Sequence, residues 1–250
     1  GARLLLGVVL VVAGFGVAGA FGGATVAVAF SFLVTVAALR GEIRRPRPGE
    51  QAPPAGAVFA GAAVLLLFYA LLVNVDALLA PALLPPADAG AYAAAVTMGK
   101  IALFAPLGLS VFLLERTASA HALARPTRPT LYLVLAAVLA VSGAVALVYL
   151  AAPEFAARIV AGEAYAAAVA RIVGIYGVAA LSNAILQVWA VYFVGIGRLR
   201  IAVAFLIAFV TLAGALLLMA RDPSTMARTV LAVTLATQVV VTLTFLRTRG

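Results

Sequence analysis

The chain has 250 residues, of which 66% are hydrophobic and only 10% charged, with a mean hydropathy of +1.21. A soluble domain keeps about a quarter of its residues charged, so that class is excluded. The net charge of +9 is distributed by segment in a way that argues against nucleic acid, and the lack of cysteine excludes disulfides, thiolate chemistry and cysteine metal sites.

Apolar runs of about 18 or more residues mark membrane-spanning helices. Eight are predicted, near 4–20, 23–39, 57–80, 91–114, 130–151, 165–194, 199–219 and 227–246. Strand-like alternation is missing and Ala and Leu abound, so the expected fold class is an all-α membrane protein of about eight helices. The first two spans are short and separated only by the glycine-rich GAFGG. They form one unit, 1–39. The segment 40–56, RGEIRRPRPGEQAPPAG, concentrates Arg, Pro and Gly and reads as a semi-rigid cytoplasmic linker between two lobes. Residues 57–250 then form a six-helix second lobe.

The basic residues alternate between the two sides. Placing the N-terminus inside puts Arg3, Arg40, Arg44, Arg45 and Arg47 there, followed by Arg116, Arg125 and Arg128, then Arg198, Arg200, Arg247 and Arg249. Only Glu42, Glu50 and Glu115 oppose them. The outer segments hold Arg158, Arg221 and Arg228 against Asp88, Glu154, Glu163 and Asp222. This fits the positive-inside rule and predicts a multi-pass protein of the cytoplasmic membrane with both termini cytoplasmic. Membrane lipids are therefore partners, and the inner arginines suit anionic headgroups.

The third and fourth spans are joined by the stretch NVDALLAPALLPPADAGAYAAAVTMGK, Asn74 to Lys100. Asp76 and Lys100 are the two charges set deepest in apolar sequence. Ionised groups cost several kcal/mol in hydrocarbon unless they pair or face water, and by default they mark function. Counting from Leu84 and Ala91 places both about 12–14 Å from the outer surface. Two readings stand: an ion pair that fixes helix packing, and a pair lining a water-filled cavity that takes a charged substrate or coupling ion. Asn74 lies about 200° around the helix from Asp76 and is expected to bond a neighbouring helix. Pro81 and Pro106 are expected to interrupt these two spans, as hinges or as tolerated kinks.

The sixth span carries Arg171, Asn183 and Gln187, with Tyr176 and Trp189. Asn183 and Gln187 are four apart and share a face, so they bond another helix or line a cavity. Arg171 either snorkels to the outer surface or binds phosphate there with its guanidinium fork. AGAYAAAVTMGKI from Ala89 is echoed by AGEAYAAAVARIVGI from Ala161, the kind of faint repeat that transporters carry. GIG at 195–197 reads as a helix end, and the sole histidine, His121, as a residue of a basic cytoplasmic loop. The chain contains no GxxxxGK[ST] loop, no HExxH and no acidic cluster for a metal-assisted transferase. No enzyme activity, metal or cofactor is expected.

The run from Asn74 through Pro106 resembles the seventh and eighth helices of polysaccharide and lipid-linked oligosaccharide flippases, in the multidrug/oligosaccharidyl-lipid/polysaccharide exporter superfamily. The residues that carry the resemblance are Asn74, Asp76, Gly90 and Tyr92. The GEAYAAAVARI segment and the GIGRLR turn are similar to that family's tenth helix and following loop, and the resemblance covers most of 57–220. It implies helices five to twelve of a two-lobe, twelve-helix transporter that moves a lipid-linked saccharide or polysaccharide precursor by alternating access. The first four helices have no counterpart here. A fragment is therefore expected, or a chain whose partners supply those helices. Alternative readings are a multidrug extruder of the same superfamily, a non-transporting scaffold of a glycan-assembly complex, and a membrane-embedded transferase. A wide basic cavity would favour the saccharide; an apolar cavity with isolated carboxylates would favour drug cations.

Overall fold

Hydrocarbon offers a spanning backbone no water to bond, so its amides must be satisfied within helices or by neighbouring side chains. The computed structural model describes residues 55–247 together with Val26, Phe30 and Val34. The chain divides into two compact units, Gly1–Ala52 and Pro53–Gly250. In the first, Val26, Phe30 and Val34 are helical and exposed. Otherwise the expected spans at 4–20 and 23–39, and the linker up to Pro54, lie outside the described residues.

The second unit is built of helices: α1 (Ala55–Leu83), α2 (Pro86–Phe104), α3 (Leu107–Ala122), α4 (Arg128–Ala151), α5 (Pro153–Ala161), α6 (Glu163–Gly195), a 3₁₀ turn (Leu199–Ile201), α7 (Ala202–Met219) and α8 (Pro223–Arg247). No strand occurs among the described residues. Five helices, α1, α4, α6, α7 with its 3₁₀ turn, and α8, are long and apolar enough to cross a membrane. The pair α2 and α3, bent by 41°, makes a sixth crossing when taken as one broken span. The protein is a multi-pass, all-α membrane protein.

The expected span at 91–114 is thus two helices, beginning at Pro86 and ending at Ala122. The break falls where Pro106 has no N–H to return to the carbonyl of Ala102. Ser142 on α4, fully buried, donates its hydroxyl to that freed carbonyl at 2.7 Å. A neighbouring side chain therefore closes the gap that the proline opens. Pro81 behaves otherwise: it lies in the last turn of α1, which runs through it to Leu83 without interruption. His121 belongs to the last turn of α3 rather than to a loop, and is exposed.

Helix α6 is the hub. Its best spanning stretch is 61% buried, against 28–33% for the other four spans, and it packs on α1, α2, α3, α4, α5 and α8. Small residues permit these approaches. At Gly177 a Cβ would lie 2.9 Å from the Tyr149 ring of α4. At 33 residues, α6 is about 50 Å long, well beyond a hydrocarbon core of about 30 Å. Its end at GIG is a Schellman cap: Gly197 has φ +68°, its N–H bonds Val194 O at 3.0 Å, and Arg198 N–H bonds Phe193 O at 3.0 Å. Around this hub, α1 packs on α7, and α7 on α8.

Candidate functional site: a buried carboxylate held by two tyrosines

Asp76 sits in the last third of α1 and is 1% exposed. Two phenols reach its Oδ2: Tyr92 Oη from α2 donates at 2.9 Å and Tyr176 Oη from α6 at 2.8 Å. The two rings meet edge to face, 5.6 Å between centroids. One carboxylate oxygen therefore ties three helices together at the hub. Two phenol donors replace part of the hydration that Asp76 loses on burial, as a buried polar group requires.

Lys100 is not the partner of Asp76: among the described residues no ion pair joins them. The reason is helical register. Helix α2 starts at Pro86 rather than Ala91, so at 1.5 Å per residue Lys100 lies about 21 Å along it. Asp76 lies about 10 Å from the end of α1, and Tyr92 about 9 Å into α2. The residue opposite Asp76 is Tyr92. Lys100 lies two turns further on, half-buried, and with Tyr176, Asn183, Val73 and Val96 it borders a cavity of about 10 Å³. That is about the room of one water molecule.

Gly99 makes the tyrosine arrangement possible. A Cβ there would fall 2.6 Å from Cδ1 and Cε1 of Tyr176, so only the bare glycine lets that ring lie across α2. Near the other end, the nearest side chain to a Cβ at Gly90 is Tyr165, at 4.0 Å. The two segments that echo one another in sequence therefore run side by side, in parallel. Their tyrosines differ in setting, with Tyr92 buried and Tyr165 exposed.

The other expected residues are dispersed. Asn74 does not reach a neighbouring helix; its Nδ2 donates to Ala70 O of its own helix at 2.7 Å, the back-bond available to a short amide one turn on. Asn183 is 3% exposed and borders the Lys100 cavity, with its side-chain Oδ1 unpartnered. Its backbone carbonyl accepts the Tyr69 hydroxyl at 3.1 Å, which ties α1 to α6 a second time. Gln187, one turn further, is half-buried and does not line that cavity. Trp189 packs instead in an aromatic cluster with Phe193 and Phe245.

Arg171 is exposed and borders a separate pocket of about 180 Å³ with Asp88, Asp222 and Ser224. Two carboxylates beside one guanidinium leave little net positive field for a phosphate. Asp222 also has a structural task. It caps α8, accepting Thr225 N–H at 3.0 Å and the Thr225 hydroxyl. These bonds hold its carboxyl below the usual carboxylate range.

Sequence reasoning named Asp76, Tyr92 and Tyr176 but did not bring them together. Tyr92 was legible: Pro86 is a proline at the start of a helix with Asp88 in its first turn, both helix-start signals, and starting there brings Tyr92 level with Asp76. Tyr176 stood only among the sixth-span residues, and nothing local ties it to Asp76, 100 residues away. Comparisons of the chain with protein-family models, curated proteins and solved structures return no match.

Proposed function

We propose that this protein is a flippase-type membrane transporter that moves a lipid-linked saccharide or polysaccharide precursor across the cytoplasmic membrane by alternating access. One observation supports a transport role above the others: Asp76 is buried within a spanning helix, and its side-chain partners are two phenols from two other helices. A residue needed only for packing has no reason to be a carboxylate, because an apolar replacement of similar volume is often neutral or stabilising at a buried polar site. In this reading Asp76 is the coupling residue. A proton or cation arriving there competes with the two tyrosines for its oxygens and loosens α1 from α2 and α6. The break at Pro106 lets α2 move separately from α3. The substrate class rests on the resemblance carried by Asn74, Asp76, Gly90 and Tyr92.

The test is reconstitution of the chain in vesicles that carry a fluorescent polyprenyl-diphosphate saccharide, with translocation measured by quenching of the outer leaflet. Asp76→Asn is expected to slow translocation about tenfold or more, the equivalent of one lost charge-assisted interaction, while the far-ultraviolet helix signal is retained. Wild-type rates in an Asp76→Asn protein of reduced thermal stability would assign the residue to packing and sink the proposal.

A specific observation favours a second reading, extrusion of lipophilic cations. Asp76 is an isolated carboxylate, and the arginines of the outer segments stand among acids: Arg171 with Asp88 and Asp222, and Arg158 with Glu154 and Glu163. Efflux of a fluorescent lipophilic cation from the same vesicles, lost in Asp76→Asn, distinguishes the two.

A further inference from the structure

Between α7 and α8 runs an open groove of about 710 Å³. Small side chains line it on both helices, Ala204 and Ala208 on α7 and Ala232 and Ala236 on α8, beside the exposed Val203 and Ile207. Thr237 and Thr244 also line it, yet their hydroxyls donate to Val233 O and Val240 O of their own helix, at 2.7 and 2.8 Å. Back-bonded in this way, they offer the groove their methyl groups. No acid lines it, and one charge does: Arg200, exposed, on the 3₁₀ turn that precedes α7.

The length of the groove identifies its occupant. On the 3₁₀ turn and α7 the lining runs from Arg200 to Thr211 and on α8 from Ala232 to Thr244, about 16 Å and 18 Å of helix. Half of a hydrocarbon core is about 15 Å. The two helices are joined by the short turn at 220–222, so Arg200 and Thr244 share one end of the groove and Thr211 and Ala232 the other. The groove therefore starts at a charged membrane face and stops near the midplane. A partner helix would cover the full depth of the membrane; an acyl chain of one leaflet covers half.

We infer that this groove is a lipid site, which seats an acyl chain of an anionic phospholipid and sets its phosphate against the Arg200 guanidinium. The small alanines lining the groove admit the chain, and the planar fork of Arg200 suits two phosphate oxygens. The inference is independent of the transport proposal, since it concerns a resident lipid and a different face of the molecule.

The experiment is native mass spectrometry of the purified chain released from detergent, after addition of phosphatidylglycerol or phosphatidylcholine with identical acyl chains. One phosphatidylglycerol is expected to be retained about fivefold more than phosphatidylcholine, the increment for one basic residue at a membrane surface. Arg200→Gln is expected to abolish that preference, whereas Arg198→Gln, next to it but outside the groove, keeps it. Ala236→Phe, which puts a large ring into the groove lining, is expected to lower retention of both lipids. Equal retention of the two lipids by the wild type, or an unchanged preference in Arg200→Gln, overturns the inference. A loss in Arg198→Gln as large as that in Arg200→Gln does the same, by making the effect one of diffuse charge. A lipid-free dimer overturns it by giving the groove to a second copy.

Discussion

At the scale of single residues, the informative feature is which group reaches which. Asp76 is satisfied by Tyr92 and Tyr176, and each phenol supplies one hydrogen bond to a buried acceptor. Removing either leaves Oδ2 one donor short at a buried position. Tyr92→Phe and Tyr176→Phe are each expected to destabilise the fold by about 1.5–3 kcal/mol, measured by thermal or denaturant unfolding in detergent. The double substitution should depart from the sum of the singles, since both act on one oxygen. Asp222 shows the exposed counterpart. Its carboxyl is held low by Thr225, so its contribution is present above the ordinary carboxylate range and is lost as pH falls through its lowered pKa. Asp222→Ala is expected to cost about 1 kcal/mol as a lost helix cap, seen as faster hydrogen exchange in the first turn of α8. Lowering the pH should bring the wild type towards the variant, and an exchange rate insensitive to both changes would remove the cap from this account.

At the scale of elements, the α2–α3 break couples two residues from different helices. Pro106 releases the Ala102 carbonyl and Ser142 takes it. Ser142→Ala is therefore expected to cost about 1–3 kcal/mol, the penalty of an unsatisfied buried acceptor. In a Pro106→Ala background the restored N–H serves the same carbonyl, and Ser142→Ala should then cost much less. Additive effects in that double-mutant cycle would dismiss the explanation. The proline was visible in the sequence, and so was the interruption it imposes. Pro81 was equally visible but has no such effect, because it falls in the final turn of α1, where little helix remains to break. Element boundaries decided the outcome elsewhere too. Starting α2 at Ala91 instead of Pro86 put Lys100 level with Asp76, and those five residues, about 7.5 Å of helix, replaced the true partner with a false one.

At the scale of the whole molecule, the charge pattern predicts an orientation. By the positive-inside rule the α3–α4 turn is expected on the cytoplasmic side and the α7–α8 turn outside. The chain has no cysteine, so single introduced thiols report cleanly. Ala124→Cys is expected to resist a membrane-impermeant maleimide applied to intact cells, and Arg221→Cys to react with it; the reverse pattern would invert the topology. The all-α membrane class, the rough extent of the five long spans in the second unit and the stop at Gly195–Gly197 were all determined by sequence alone. Each depends on local quantities: apolar length against bilayer thickness, and the backbone freedom of glycine. What only the tertiary structure decided is the identity of the contacts: α6 as the hub, Tyr176 on Asp76, Ser142 on Ala102, and a half-depth groove ending at Arg200. In a chain that is apolar almost throughout, hydrophobic pattern does not say which face of a helix turns inward. Close packing of small residues and the need to satisfy the few buried polar groups make that choice, and both act between residues far apart in the chain.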